Sequence, residues 1–241
     1  SWSSDRRARN LLAESDLALY QAKKLGRNRI EFFSRQLQDD LRGKRRLAEG
    51  LAQALEKGEV IPYYQVQLDA RTREITGLEA LARWDHPEKG VLAPGVFLRI
   101  ADEYGLSADI DAAVLQRALE DRAAWQAMGY HVPRIAVNIS PGRLADPALL
   151  EKLRGLALPP GAIVFELVET IFLDDCDEKF LANIDLIKEM GIDIEIDDFG
   201  SGHASLIGLV RLKPKRLKID RQLVTDVVES AEQRRVIGSI V

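Results

Sequence analysis

The chain has 241 residues, of which 46% are hydrophobic and 30% are charged, and this balance is typical of a globular protein. Its net charge of −4 argues against binding to a nucleic-acid polymer, because that function needs a strongly basic surface. The single cysteine, Cys176, excludes an internal disulfide bond and fits a reducing compartment. No segment has the pattern of a signal peptide or a membrane span, so we expect a cytoplasmic protein or the cytoplasmic part of a membrane-anchored one.

The first part of the chain has the pattern of a helix followed by a short strand. Apolar residues within residues 8–24 fall on one face of a helix, Gly26 ends it, and residues 28–33 are predicted to form a strand. Because one helix and one strand cannot enclose a core, we interpret this part as the end of another domain. The charged, amphipathic segment Arg35–Lys57 is predicted to be a linker helix that leads into the next domain.

From Val60 onward, short apolar segments alternate with segments of helical periodicity. Strands are predicted over residues 61–68, 75–81, 135–139, 163–167, 192–196 and 216–219. Helices are predicted over residues 94–104, 108–128, 141–156, 178–190 and 222–240. Nearly continuous apolar strands separated by helices indicate a parallel sheet covered on both faces, which leaves an open doubly wound sheet or a (β/α)8 barrel. The first strand is not followed by a dinucleotide-binding glycine turn, which counts against that version of the open sheet.

The most informative segment is residues 194–202, in which a largely apolar strand ends in two adjacent carboxylates and a glycine-rich turn. Asp197 and Asp198 repel each other at a strand end, and this placement is unfavourable unless cations bind beside them. The glycines allow a sharp turn and a close approach of the backbone to a bound group. The segment therefore predicts a metal site on the rim of an α/β domain.

Polar side chains lie in or directly after nearly every predicted strand: Gln65, Glu79, Asn138, Glu166, Glu169, Asp197, Asp198 and Lys218. In a barrel, the carboxyl ends of the strands meet on one face, where active sites form. Five of these residues offer the oxygen atoms that suit Mg²⁺, Mn²⁺ or Ca²⁺ better than zinc: Glu79, Asn138, Glu166, Asp197 and Asp198. Each has an ordinary explanation when taken singly, such as a solvated loop carboxylate or a helix cap. One such residue on each successive strand is hard to obtain by chance.

Five segments point together to a known family. They are Glu79-Ala80-Leu81 with Arg83-Trp84, and residues 137–140, 165–170, 197–202 and 217–220. In this order they resemble the motifs of EAL domains, which are cyclic di-GMP phosphodiesterases. Residues 18–28 resemble the end of a GGDEF domain, the diguanylate cyclase module that often precedes an EAL domain. The resemblance implies that residues 1–36 are the C-terminal remnant of a GGDEF domain with a linker, and that residues 37–241 are an EAL domain.

The resemblance also implies a fold and an activity. The fold is a modified (β/α)8 TIM-type barrel with an antiparallel first strand, and the reaction is hydrolysis of cyclic di-GMP to linear pGpG. Two Mg²⁺ or Mn²⁺ ions are expected on Glu79, Asn138, Glu166, Asp197 and Asp198. Lys218 would act with Glu79 in catalysis by positioning the attacking water, and Gln65 and Arg83 would bind the substrate. Glu169 would support the loop after Asp198, which in this family links metal binding to dimerisation.

The partners expected from the resemblance are cyclic di-GMP, a second copy of the EAL domain in a homodimer, and upstream GGDEF and sensory domains in the full protein. The family's last strands, with a further glutamate of the metal site, would follow Val241, so we expect this chain to lack the C-terminal strands of the barrel. His203 and Ala204 also depart from the family's usual tyrosine and serine.

Two other functions stay open at this point. One is a catalytically inactive cyclic di-GMP receptor or regulatory EAL module, which uses the same pocket for binding. The other is a structural partner module that interacts through Arg35–Lys57 and residues 222–241, but this explains none of the carboxylates.

Overall fold

The structure is a computed structural model that describes residues 11–12, 14–19, 21–23, 26–156, 158–169, 178–201 and 206–240. The chain divides into two compact units, Ser1–Gln53 and Ala54–Val241. The predictions for Cys176, His203 and Ala204 fall outside the described residues.

The first unit confirms the predicted helix within residues 11–23 where it is described. The strand predicted over residues 28–33 is wrong, because Asn28 has a positive φ of 50° and the following residues form no ladder. Ile30 and Phe32 are 83% and 82% exposed, so the apolar pattern that suggested a strand is not buried in this unit. Helix α1 (Arg35–Lys57) has the predicted bounds and begins where the Ser34 hydroxyl accepts the amide of Leu37 at 3.0 Å.

The second unit is built on one mixed sheet of seven strands within the described residues. The strands are β1 (Val60–Leu68), β2 (Ile75–His86), β3 (Gly90–Leu92), β4 (Ile135–Asn138), β5 (Ile163–Val168), β6 (Asp193–Phe199) and β7 (Arg216–Ile219). Their order is β1-β2-β4-β5-β6-β7, and β3 pairs with β2. β1 and β3 run antiparallel to β2, whereas the other neighbours are parallel, which confirms the antiparallel first strand.

Helices connect the strands and cover the sheet. They are α2 (Pro94–Glu103), α3 (Ser107–Ala127), α4 (Pro141–Leu144), α5 (Pro147–Arg154), α6 (Glu178–Glu189), α7 (Leu206–Leu212), α8 (Arg221–Val224) and α9 (Ala231–Ile240). None of the helices that the structure describes is both long and apolar enough to cross a membrane.

Two predicted helices are each split in the structure. The segment 141–156 contains α4 and α5, because Pro147 favours extended backbone in Asp146, which has φ −77° and ψ 116°. The Asp146 carboxylate then caps α5 by accepting the amide of Ala148 at 2.9 Å. The segment 222–240 contains α8 and α9. Helix α7 and strand β3 were not predicted.

The central strands are buried, as their sequences predicted. Residues 163–167 of β5 are all buried, and Ile135, Ala136 and Val137 of β4 are completely so. Strands that are covered on both faces leave few positions for polar groups. The polar residues near the carboxyl ends of these strands therefore lie together at one end of the sheet, where the candidate site forms.

Candidate active site

Three carboxylates from different strands converge at this end of the sheet. Glu79 of β2, Glu166 of β5 and Asp197 of β6 each place an oxygen atom within 4.8 Å of the other two. Their side chains are mostly or wholly buried, and that of Glu166 has no exposed surface. Three carboxylates this close repel one another strongly in a poorly hydrated site, so the cluster needs positive charge beside it.

Lys218 of β7 supplies one positive charge. Its Nζ donates to Glu79 Oε2 at 3.0 Å, Glu166 Oε2 at 3.0 Å and Asp197 Oδ2 at 3.1 Å. All three donor hydrogens of the ammonium group are thus directed at the carboxylates. The lysine stands at the centre of the three carboxylates, and we call these four residues the upper cluster.

The pKa values of the upper cluster reflect burial and charge. Burial raises the pKa of Glu166 to about 7, the charges of Glu79 and Asp197 add to the rise, and the charge of Lys218 opposes it. Burial by itself would lower the pKa of Lys218, but the charges of Glu166, Asp197 and Glu79 outweigh it and raise that pKa. One lysine therefore does not fully compensate the negative charge of the cluster.

The donor set fits a divalent cation. Glu166 Oε1 is buried and has no hydrogen-bond partner among the described residues, which is costly unless another group binds it. The atoms around it are carboxylate oxygens, the ligands that Mg²⁺ and Mn²⁺ prefer. The sequence-based prediction of a metal site at this edge is consistent with both observations.

The two adjacent aspartates are held in an irregular backbone. The β6–β7 register shifts between Ile196 and Phe199, and Asp198 has φ 53°. In a regular strand Asp197 and Asp198 would point to opposite faces, and the irregularity removes this constraint. Burial, together with the charges of Asp197 and Asp220, raises the pKa of the Asp198 carboxyl. Asp198 does not belong to the upper cluster.

Asn138 and a cavity adjoin the upper cluster. Asn138 ends β4 and lies opposite Glu166 in the parallel register. A cavity of about 680 Å³ is lined by Glu79, Asn138, Glu166 and Asp197 at the sheet and by residues of α2 and α3. This size accommodates a ligand larger than a metal ion.

Asp111 of α3 also lines this cavity, and the sequence-based reasoning missed it. Its Oδ2 accepts the backbone amide of Ser140 at 2.7 Å, two residues after Asn138. Burial raises its pKa to about 6, although the contact with Ser140 and the charge of Arg143 lower it. Asp111 could have been found from the sequence, because it is an acidic residue next to Ile110 on the apolar face of a predicted helix.

Gln65 and Arg83 lie on the same face of the β1–β2 pair as Glu79. Gln65 is directly opposite Glu79 in the register, and Arg83 is four residues further along β2. The guanidinium of Arg83 donates to the carbonyl of Ala82 at 2.8 Å and lies over the ring of Tyr63. Neither residue belongs to the upper cluster, so their roles depend on a ligand that extends along this face.

Glu169, just after β5, holds the beginning of the glycine-rich loop. Its Oε2 accepts the amides of Gly200 and Ser201 at 3.0 and 2.8 Å and the Ser201 hydroxyl at 2.8 Å. Gly200 has φ 96°, and a Cβ there would lie 2.2 Å from Leu223 Cδ1. Only glycine fits this position without displacement of a neighbour. The contacts suit the loop-support role predicted for Glu169, which stays a prediction.

Comparison with known protein families identifies the family of this chain. Residues 48–241 match the model of the EAL domain. The chain belongs to the EAL domain family. An EAL relative from Pseudomonas aeruginosa is MucR, described as a bifunctional diguanylate cyclase and cyclic di-GMP phosphodiesterase, and it is 33% identical over 235 residues, or 96% of this chain. An uncharacterized signaling protein from Caulobacter vibrioides is 38% identical over 92% of this chain. The chain spans 34% and 27% of the lengths of these two relatives.

Solved EAL structures have the same fold. A complex of the PaMucR phosphodiesterase with c-di-GMP has a TM-score of 0.71 and 33% identity, and the match covers 81% of this chain and 80% of that one. The FimX EAL domain of Xanthomonas citri, in complex with c-diGMP, has a TM-score of 0.74 at 22% identity, with 84% and 80% covered, and shows the fold alone. EAL domains are TIM-type barrels, so the predicted fold class is confirmed.

Proposed function

We propose that this EAL domain hydrolyses cyclic di-GMP to linear pGpG with two divalent metal ions. The convergence of Glu79, Glu166 and Asp197 around Lys218 carries the proposal, together with the buried Glu166 oxygen that has no partner among the described residues. The similarity to MucR, and to NbdA from Pseudomonas aeruginosa, a cyclic di-GMP phosphodiesterase that is 33% identical to this chain over 235 residues, also supports it. The cavity beside the cluster offers room for part of a dinucleotide.

The proposed metal ligands are the five oxygen donors Glu79, Asn138, Glu166, Asp197 and Asp198. Bound Mg²⁺ or Mn²⁺ would polarise the phosphodiester and lower the pKa of a bound water. Binding requires ionised carboxylates, so Glu166, with its pKa near 7, loses its proton when a metal binds near neutral pH. Lys218 remains a cation in this pH range and keeps the three carboxylates directed at one point.

Each remaining residue has a proposed role in the reaction. Lys218 would turn one of the three N–H groups that meet the carboxylates in this structure toward the attacking water, and Glu79 would orient Lys218 from across the cluster. Gln65 binds the substrate beside Glu79, and Arg83 binds its phosphodiester through a charge-assisted hydrogen bond. Glu169 keeps the Gly200–Ser201 backbone in place next to Asp198.

The reaction is tested on the full-length protein with purified cyclic di-GMP. We expect linear pGpG, separated by chromatography, to form with Mg²⁺ or Mn²⁺ and not with EDTA. The matched control is the Glu79→Gln variant, which keeps the size of the side chain and removes one charge. Absence of pGpG from the metal-loaded wild-type protein would refute the proposal.

A cyclic di-GMP receptor without turnover is the second candidate. The ion pairs of Lys218 with the three carboxylates favour it, because they give the cluster a partner without a metal. The same sample separates the two functions: calorimetry measures binding and chromatography measures product. Binding without product supports the receptor, and binding with product supports the enzyme.

The domain organisation and assembly are also proposals. We propose that residues 1–36 are the remnant of a GGDEF domain with a linker, that residues 37–241 are the EAL domain, and that the full protein carries the GGDEF and sensory domains upstream. We further propose a homodimer through the EAL domain and a cytoplasmic location for this part of the protein. Sedimentation of the full-length protein tests the dimer, because a monomer at micromolar concentration contradicts it.

A further inference from the structure

Two adjacent tyrosines of β1 lie on opposite faces of the sheet. The Tyr64 hydroxyl donates to Asp121 Oδ2 of α3 at 2.7 Å, and its ring packs edge-on against Trp125 with centroids 4.8 Å apart. Tyr64 therefore joins the sheet to α3. Since side chains alternate along a strand, Tyr63 lies on the other face, with Gln65, and is 47% exposed.

Tyr63 is in contact with Arg83. Tyr63 pairs with Leu81 and Ile61 pairs with Arg83, so Tyr63 and Arg83 are diagonal neighbours on one face. The guanidinium carbon of Arg83 lies 5.6 Å from the centroid of the Tyr63 ring, which is within the range of a cation–π contact.

The contact leaves most of the Arg83 head group available. Within the part of the chain that the structure describes, Arg83 makes one hydrogen bond, from Nη1 to the carbonyl of Ala82. A guanidinium has five N–H donors, so the others remain for an anionic ligand. The ring of Tyr63 and the Ala82 carbonyl hold the head group from two sides.

The Tyr63–Arg83 pair lies on the same face of the β1–β2 pair as Glu79 of the upper cluster. Glu79 and Arg83 are four residues apart on the same face of β2, which corresponds to about 13 Å along the strand. Gln65, opposite Glu79, lies between the cluster and Tyr63 on β1. A ligand anchored at the upper cluster meets Arg83 only if it extends along this face.

We propose that Tyr63 is a positioning residue that holds Arg83 ready for the phosphodiester of the ligand. An arginine side chain loses many rotamers when it binds, and a ring that already orders it reduces this cost. The inference rests on the proposed cyclic di-GMP binding by Arg83, and it assigns Tyr63 an effect on affinity but not on the chemical step.

The test uses full-length protein, with the Kd for cyclic di-GMP measured by calorimetry in EDTA and KM and kcat measured in Mg²⁺. Tyr63→Leu is expected to raise Kd and KM about two- to tenfold, which is the cost of ordering one arginine side chain on binding, with kcat unchanged. Tyr63→Phe keeps the ring, so its KM is expected to equal that of the wild-type protein. Tyr64→Phe is the matched control, since it removes the bond to Asp121 and lowers the melting temperature without changing Kd.

A double variant decides whether Tyr63 acts through Arg83. With Arg83→Ala already present, Tyr63→Leu is expected to cause no further change in Kd. A further loss would mean that Tyr63 touches the ligand itself, and this overturns the proposal. An unchanged Kd for Tyr63→Leu, with binding lost in Arg83→Ala, overturns it too and leaves the proposed function intact. A wild-type protein that neither binds nor hydrolyses cyclic di-GMP refutes both.

Discussion

Among the residues that the structure describes, two ionic clusters lie at the sheet, and their compositions are opposite. The upper cluster has three carboxylates and one lysine, Lys218. The second, which we call the lower cluster, consists of Glu195, Arg134, Arg216 and Gln67. Glu195 Oε1 accepts from Arg134 Nη1 and, at 2.7 Å, from Arg216 Nη1, and Arg134 Nη2 donates to Gln67 Oε1 at 2.7 Å.

The two clusters share strands. Asp197 and Glu195 are two residues apart on β6, and Lys218 and Arg216 are two residues apart on β7. The alternation of side chains places each pair on one face, with the lower cluster nearer the amino ends of the parallel strands. In barrels that end contributes to stability, whereas the carboxyl end holds the chemistry.

The two clusters differ in how far their negative charge is compensated, and this difference bears on what each cluster does. The lower cluster pairs its one carboxylate with two arginines, so Glu195 is compensated although it is only 1% exposed. The upper cluster has an excess of negative charge, and no group in the described part of the chain hydrogen-bonds Glu166 Oε1. An ionic cluster that compensates the charge of its own buried carboxylate is structural, whereas one that lacks positive charge suits a bound cation.

Removal of Glu195 has the largest expected effect on stability. Glu195→Ala leaves the mostly buried Arg134 without a carboxylate partner, and we expect the free energy of unfolding to fall by about 4 kcal/mol. Urea denaturation measures this. Arg216→Ala is the control, since that side chain is half-exposed and its loss costs less than about 1 kcal/mol. Equal losses for the two variants would contradict the lower cluster as a buried network.

Glu79→Gln in the upper cluster is expected to lower the activity strongly without lowering the stability. Removal of this proposed metal ligand should lower the rate of the proposed cyclic di-GMP hydrolysis by about 100-fold or more. The melting temperature of the metal-free protein should not fall, because the substitution relieves repulsion with Glu166 and Asp197. A fall as large as that of Glu195→Ala would mean that the upper cluster is structural as well.

The loop next to the upper cluster depends on Gly200. Gly200→Ala is expected to cost about 2 kcal/mol, because φ is 96° and the new Cβ meets Leu223. Leu223→Ala removes the clash but not the backbone strain, so the double variant should recover part of the loss in urea denaturation. No recovery would show that strain alone accounts for the cost.

Substitution of Asp111 has the smallest expected effect on stability, and this effect depends on pH. Its pKa is raised from 3.8 to about 6, so the folded state holds this proton more tightly than the unfolded state does. Its contribution to stability is therefore present at low pH and is lost as the pH rises through about 6. Asp111→Asn cannot ionise and can still accept the amide of Ser140.

Melting curves at several pH values check this prediction. Asp111→Asn should match the wild-type protein near pH 4 and exceed it by a few degrees above about pH 7. The same difference at every pH would show that the carboxyl of Asp111 does not titrate in this range.

The site residues on the strands could be predicted because each lies in a local pattern. Asp197 and Glu166 follow apolar segments, and their neighbours in the chain determine that they lie on buried strands. The sequence did not indicate that Glu195 would have two arginine partners, since Arg134 and Arg216 come from distant segments. The mistaken strand at residues 28–33 has a related cause, because a strand also requires a partner segment that its own sequence does not supply.

The sequence by itself determined the order of six of the strands, the helix Arg35–Lys57 and the set of oxygen donors, because these depend on periodicity and on residue type along the chain. Only the tertiary structure decided which charges meet. The strand register brings Glu79, Glu166 and Asp197 around Lys218, sets Glu195 between two arginines and places Tyr63 beneath Arg83. Such contacts join residues that are distant in the chain, so their energies depend on how the strands pair.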